Sequence, residues 1–281
     1  RSLPTVNGFG SILVNLGEVQ NKGFEFTVNS VNMRRANFTW NTTFSIWTNQ
    51  NKIVHLYGAT PYIDPLTGKI TGSSENDDIN NNWYIGHSIS DIYDYPIQGI
   101  WQTADVALAK SFGFQPGDMR LVDGNGDGKY TIADKRFIGS SVPDYSWNLR
   151  NDFKIYKNFD FSFTLYAKMG QLTRFNEATN GERNQGLVFY DRVNFYQVPY
   201  WTPSNPSNEW GKLYGTRGGG VNWNNYKKSS FIRLSNISLA YTIPSDITRK
   251  WKIEALKVYF NVINAGVFSS WNYFDPEYHG N

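Results

Sequence analysis

The residues best placed to do chemistry fall in one short run, Asp123-Gly-Asn125-Gly-Asp127-Gly128-Lys129-Tyr-Thr131-Ile-Ala-Asp134. It fits the D-x-[DN]-x-[DN]-G frame of an EF-hand calcium loop. In that frame Asp123, Asn125 and Asp127 offer side-chain oxygens and Lys129 its backbone carbonyl. Thr131 and Asp134 complete the set, and Gly128 permits the sharp turn. Asp134 stands where a glutamate usually closes the site, and its shorter arm makes two-oxygen closure harder. The residues before Asp123 do not read as a long helix, so Ca²⁺ here would pin a loop without triggering a helix movement. The competing reading is an Asx-rich turn that needs no ion.

No catalytic constellation accompanies this loop. His55, His87 and His279 are far apart and lack paired metal spacing. Gly218-Gly219-Gly220 lacks the Lys and Ser/Thr of a phosphate cradle, and there is no G-x-S-x-G elbow. Asp77-Asp78 sits in an Asn-rich stretch with nothing to make it a glycosidase pair. The chain therefore reads as a non-enzyme. Trp83, Tyr84, Trp101, Trp201 and Trp210 are candidates for stacking on sugar rings or gripping peptides. The alternative is that they pack long loops against each other.

The elements that must hold these residues are strands. From Asn37 to Ile46, Phe38, Trp40, Phe44 and Ile46 occupy one face and Asn37, Thr39, Asn41, Thr43 and Ser45 the other, with Thr42 the exception. Tyr145 to Ile155 and Phe159 to Leu165 repeat the alternation, separated only by the tight turn Tyr156-Lys157-Asn158. Arg34-Arg35-Ala36 likewise joins Phe24-Phe26-Val28 to the Asn37 strand. Ile237, Leu239 and Tyr241 form another strand whose phase slips at Ser235-Asn236, which predicts a β-bulge. Val258, Phe260 and Val262 form the last strand, after a helical turn between Pro244 and Ile253.

Between these hairpins lie two long excursions, Asn49–Pro143 and Gly170–Lys228, rich in Gly, Asn, Ser and Pro. The Asn37 strand leaves the short-turn side and the Tyr145 strand returns to it. The first excursion must therefore stay at the far end or contain an even number of crossing strands. At about 95 residues it is too long to lack structure. A local hairpin over Ile92–Trp101 and a short helix over Ala104–Ser111 are predicted within it.

Composition agrees with this picture and narrows it. The chain has 281 residues, 17% aromatic but only 40% hydrophobic, with no Cys and a net charge of +3. Mean hydropathy is −0.50. No stretch approaches the ~18–20 apolar residues of a spanning helix, disorder is at odds with the aromatic content, and the charge is too small to argue for nucleic acid. Two all-β readings remain. In a soluble, Ca²⁺-stabilised carbohydrate-binding β-module the aromatic faces would pack into a core. In an outer-membrane barrel they would face lipid, with short turns periplasmic and long loops outside. Strands of about ten residues match the ~9–11 needed to cross a bilayer tilted and favour the barrel.

Several motifs in order along the chain strengthen this. Asn15-x-Gly17-x-x-x-Asn21-x-Gly23-x-Glu25 is followed by Asn82-Trp83-Tyr84-Ile85-Gly86, Ile92-Tyr93-Asp94-Tyr95 with Gly99-Ile100-Trp101, and Pro116-Gly117-Asp118. Then come the Asp123–Asp134 loop, Ile138-Gly139 with Pro143-Asp144, Arg233-Leu234-x-Asn236 with Tyr241 and Pro244, and Phe274-Asp275-Pro276-Glu277. This series resembles the SusC/RagA-like TonB-dependent outer-membrane transporters of Bacteroidota. The resemblance implies that residues 1–281 are a C-terminal portion of an antiparallel transmembrane β-barrel of about 22 strands. Residues 49–143 and 170–228 would then be extracellular loop regions. The plug domain, TonB box, early strands and last strand are expected outside this segment. The resemblance further implies import of oligosaccharides or peptides, powered through TonB, with a SusD-like surface lipoprotein as partner.

Overall fold

Period-two patterning produces one long-stranded antiparallel sheet. The computed structural model describes residues 17–56, 60–63, 66–175, 199–212 and 221–277. Asn15, Gly218–Gly220 and His279 lie outside the described residues. In chain order the strands are β1 (Gly17–Arg35), β2 (Phe38–Leu56), β3 (Thr60–Ile63), β4 (Ile70–Ser74), β5 (Asp91–Asp94) and β6 (Ile97–Ile100). Helix α1 (Val106–Ser111) precedes β7 (Met119–Leu121), β8 (Arg136–Ser140), β9 (Tyr145–Ile155), β10 (Phe159–Met169) and β11 (Leu172–Arg174). β12 (Tyr226–Lys228), β13 (Phe231–Thr242), α2 (Ser245–Thr248) and β14 (Lys257–Ser269) complete the order. Six strands form the main sheet in the order β1-β2-β9-β10-β13-β14, and the other pairs are short two-stranded ladders. Among the described residues no strand between β2 and β9 joins the main sheet, so the first excursion adds no crossing strand to it, as parity allows.

The register explains why the faces separate so cleanly. Trp40 pairs with Phe153, Phe153 with Phe161, Phe161 with Leu239 and Leu239 with Phe260, a continuous apolar row. The next row on the opposite face is Asn41, Asp152, Ser162, Ser238 and Asn261. Ring contacts run along the apolar face: Trp40 stacks on Phe153 at 5.7 Å, and Phe153 on Phe161 at 5.8 Å. Such cross-strand aromatic pairs are the unit of sheet stability.

The exception in the pattern has a partner. Thr42 lies opposite Asn151, which interrupts the apolar face of β9 at the same level. The Asn151 Oδ1 accepts from the Trp40 indole N–H at 2.8 Å and from the Thr42 hydroxyl at 2.6 Å. Asn32 Nδ2 donates to the Thr42 oxygen at 2.6 Å. Two off-pattern polar residues thus satisfy each other. The phase slip in β13 is a bulge at Ser235: the register jumps between Leu234 and Asn236 against both neighbours, and the Ser235 hydroxyl donates to the Thr164 carbonyl.

The hairpin expected over Ile92–Trp101 does not form. β5 pairs with β8, and β6 pairs with β7. Only Tyr95 and Pro96 separate β5 from β6: a type I′ turn needs positive φ at Pro96, which proline cannot adopt, and a type II′ turn needs it at Tyr95, where glycine is favoured. The short helix appears as a 3-10 turn over Thr103–Asp105 running into α1.

The chain divides into two compact units. The described residues of one fall in 17–24 and 49–91, those of the other in 25–48 and 92–277.

Replacing Asn151 with Ala leaves the Trp40 N–H and the Thr42 hydroxyl without their acceptor. The expected loss is about 1–3 kcal/mol, read from the unfolding midpoint of the purified protein. Asn151→Asp, which keeps the acceptor, is expected to lose less near neutral pH.

Candidate functional site

In the larger unit, segments of the two excursions close over a shared aromatic core. Tyr95, Ile100, Trp101, Phe114, Met119, Leu121 and Tyr130 come from the first, and Trp201 and Trp223 from the second. Polar contacts fix the joint. Trp201 Nε1 donates to Gln102 Oε1 at 2.9 Å, and Gln102 Nε2 donates to the carbonyls of Ile100 and Ser207. The Ile100 N–H donates to Asn208 Oδ1 at 2.9 Å. Two buried carboxylates complete it: Asp94 accepts from the N–H and side-chain amide of Asn224, and Asp118 meets Lys212 Nζ at 3.1 Å. The close approach of Gly117 to Trp201 and Lys212, at φ +88, leaves no room for a side chain.

A second cluster sits where residues beyond β14 return. Phe175, Trp210 and Trp271 are buried together, with Tyr273 and Phe274 packed on them. Phe175 stacks on Tyr273 at 4.0 Å, and the Tyr273 hydroxyl bonds to Glu209. The buried Arg233 guanidinium holds this tail through Asp275 at 2.6 Å and Glu277 at 2.9 Å. Hydrogen bonding to the Glu277 N–H and to Arg233 outweighs burial and holds the Asp275 carboxyl below its ordinary value.

Three of the candidate aromatics therefore act as scaffold. Trp101, Trp201 and Trp210 are 1%, 6% and 5% exposed. Trp83 is different: it lies in the smaller unit and is 37% exposed. Its backbone bridges to Asp78 in both directions at 2.8 and 2.9 Å, across a turn in which Asn82 takes φ +57. Tyr84 is half-buried beside it. The same unit is braced by Ile53, which exchanges backbone hydrogen bonds with Gly86 and His87, and by a His55–Glu75 contact at 2.9 Å.

The Asp123–Asp134 loop is closed by its own carboxylates. Asp123 accepts from the N–H groups of Gly126 and Gly128, Asn125 Oδ1 from Asp127, and Asp127 from Lys129. Asp134 is fully buried and accepts from Gly124 and Thr131, both at 2.8 Å. Gly126 and Gly128 take φ +75 and +77, which explains the glycines of the motif. Among the described residues no group of three or more His, Cys, Asp or Glu side chains is gathered as a metal cage. A cation here would depend on mixed donors, with Asn125 and the Lys129 carbonyl beside the carboxylates. Asp123, Asn125 and Asp127 line one exposed turn, so the donor types fit a hard cation.

Burial would raise the Asp134 carboxyl, but the N–H groups of Thr131, Gly124 and Asn125 and the Thr131 hydroxyl outweigh it and hold it below its ordinary value. Burial pushes the Tyr130 phenol up to about 12, against the opposing effects of the Leu121 carbonyl contact and Arg120.

Sequence reasoning passed over Asp94, Asp118, Trp223, Phe175 and Arg233 as site-forming residues. Asp94, Asp118 and Arg233 fall within the recurring motifs, which was the available signal. Nothing in the spacing marks Trp223 or Phe175.

No protein-family model matches the chain. It is 30% identical to TonB-dependent receptor P26 of Formosa agariphila over 98% of its own length and 27% of that protein. It is 28% identical to TonB-dependent receptor SusC of Bacteroides thetaiotaomicron over 94% of its length and 24% of that protein. The chain thus spans about a quarter of the curated relatives it matches. Among solved structures it superposes on the RagAB peptide transporter with TM-score 0.64 and 20% identity, over 98% of this chain and 29% of that one. The RagAB peptide importer in its open-open state gives TM-score 0.67 over 100% of this chain and 28% of that one. The homologues are receptors and transporters, not enzymes, and the fold is that of their barrel.

Trp101→Ala is expected to cost about 3–5 kcal/mol by cavity formation, with the loss confined to the excursions. Limited proteolysis should accelerate within 92–143 and 199–212 while amide protection of the main sheet is retained. The Tyr130 contribution is complete below the unfolded value of 10.0 and lost as pH rises toward about 12. The Asp134 contribution is complete above 3.8 and lost as pH falls through the lower folded value. Near-ultraviolet circular dichroism should follow both limits, and Tyr130→Phe should lessen the alkaline loss, the rest falling to Tyr95 and Tyr226, which burial also raises.

Proposed function

As a homologue of part of the SusC/RagA-like TonB-dependent receptors along nearly its whole length, the chain is, we propose, a barrel segment of an outer-membrane nutrient importer. What carries this reading is the match over 98% of the chain to a TonB-dependent receptor, joined to a sheet that leaves apolar side chains exposed among the described residues. On β1 and β14, Phe24, Phe26, Val258, Phe260 and Phe268 are exposed. That suits strands facing lipid and further strands of a larger barrel.

On this reading the short turns face the periplasm and both excursions face outside. The excursions meet a SusD-like lipoprotein and an oligosaccharide or peptide, and energy arrives from TonB through regions beyond this segment. The protein itself breaks no bond. The packed core around Trp101 gives the outer loops a fixed shape, while the exposed Trp83, with the half-buried Tyr84 beside it, offers an aromatic surface to substrate. Ca²⁺ bound by Asp123, Asn125, Asp127 and the Lys129 carbonyl would stiffen the loop that Asp134 already closes.

Fractionation of cells carrying the tagged full-length protein tests the assignment. The account expects it in the outer membrane, requiring detergent, with a surface lipoprotein recovered alongside it. Deleting the gene should abolish uptake of one class of oligosaccharide or peptide. Recovery in the soluble fraction without detergent would contradict the reading. For the cation, chelator is expected to speed proteolysis within 123–134, and an unchanged rate would remove calcium from the account.

A further inference from the structure

One pocket holds hydrogen-bonding capacity that the chain does not use. It measures about 410 Å³, and Trp101, Leu108, Phe112, Arg120, Asp123 and Tyr130 line it. The Arg120 guanidinium lies over the Trp101 ring, 4.4 Å from its centroid. Its nearest carboxylate, Asp105, is 3.9 Å away, beyond hydrogen-bond reach. Arg120 makes no side-chain hydrogen bond among the described residues.

The Asp123 and Tyr130 side chains on the wall are occupied, and the exposed Gln98 also borders the pocket. The Asp123 carboxylate takes the N–H groups of Gly126 and Gly128, and the Tyr130 hydroxyl donates to the Leu121 carbonyl. The pocket therefore presents a charged fork of donors beside the apolar surfaces of Leu108 and Phe112. Asp105 and Asp123 near the guanidinium disfavour a doubly charged anion such as phosphate.

We propose that this pocket receives a single carboxylate carried on a compact body. The guanidinium engages both carboxylate oxygens, and the body lies against Leu108 and Phe112. The assignment rests on the reading that the excursions meet the imported substrate, and it adds a chemical class to that reading. The carboxylate can come from a uronic acid on an oligosaccharide or from the C-terminus of a peptide.

The test is calorimetric titration of the purified full-length protein with four probes: glucuronate, its methyl ester, acetyl-alanyl-alanine, and its C-terminal amide. At least one acid is expected to bind about tenfold or more tightly than its neutral counterpart, and the acid that does so identifies the source. Arg120→Gln should erase that preference, and Arg120→Lys, which keeps the charge but not the two-pronged fork, should weaken it severalfold. Arg120→Gln is expected to fold, because the side chain is only partly buried. Equal binding of acid and neutral probes, no binding of either acid, or a preference that survives Arg120→Gln overturns the proposal. Uptake measured in parallel separates the two ideas: uptake that persists while the acid preference is absent removes this pocket and leaves the transport reading standing.

Discussion

A strand hydrogen-bonded on both sides must send successive side chains to opposite faces, and the rest of this structure follows from that constraint. With every main-sheet pair antiparallel and in register, apolar residues line up from β2 to β14 and polar residues line up behind them. The constraint also sets topology. Short turns collect at one end, so both excursions emerge at the other, where they can pack on each other. A one-residue slip anywhere would turn a whole strand inside out. The bulge at Ser235 restores the phase of β13 where its sequence falls out of step.

The same chain solves two packing problems with one residue class. Aromatic side chains on the sheet form an outward face, whereas in the excursions they form a buried core. Trp101 and Trp201 are the clearest case of the second use, since segments far apart in sequence meet around them and are locked by Gln102, Asp94 and Asp118. Buried polar groups in such a core are costly unless satisfied. Gln102, Asp94 and Asp118 meet that requirement here, and the Trp201 indole N–H finds its acceptor in Gln102.

Much of the sheet was legible because periodicity is local. The Asn37, Tyr145 and Phe159 strands, the Tyr156–Asn158 turn, the Ser235 bulge and the helical turn after Pro244 all appear in place. Strand length was less legible. β1 and β2 run well past the alternating segments because pairing continues where the apolar pattern lapses. The Ile92–Trp101 hairpin failed because long-range partners outcompeted a turn that Pro96 cannot make. Of the candidate site, the Asp123 loop could be read from its glycines and carboxylates. The burial of Trp101, Trp201 and Trp210 could not, since it depends on segments about 100 residues apart in sequence meeting in space. The mutual satisfaction of Thr42 and Asn151 was equally hidden: each looks like a lone break in its own strand.

The central claim is that the aromatic face of the sheet meets lipid while its reverse face is wet. Single cysteines at Phe161, Ser162 and Phe163 in the full-length protein, labelled with a fluorophore and reconstituted into vesicles, test it most directly. Quenching by lipid-borne bromine should be strong at Phe161 and Phe163 and weak at Ser162, with a water-soluble quencher giving the reverse order. Equal quenching at the three positions, or strong aqueous quenching at Phe161 and Phe163, would contradict the account.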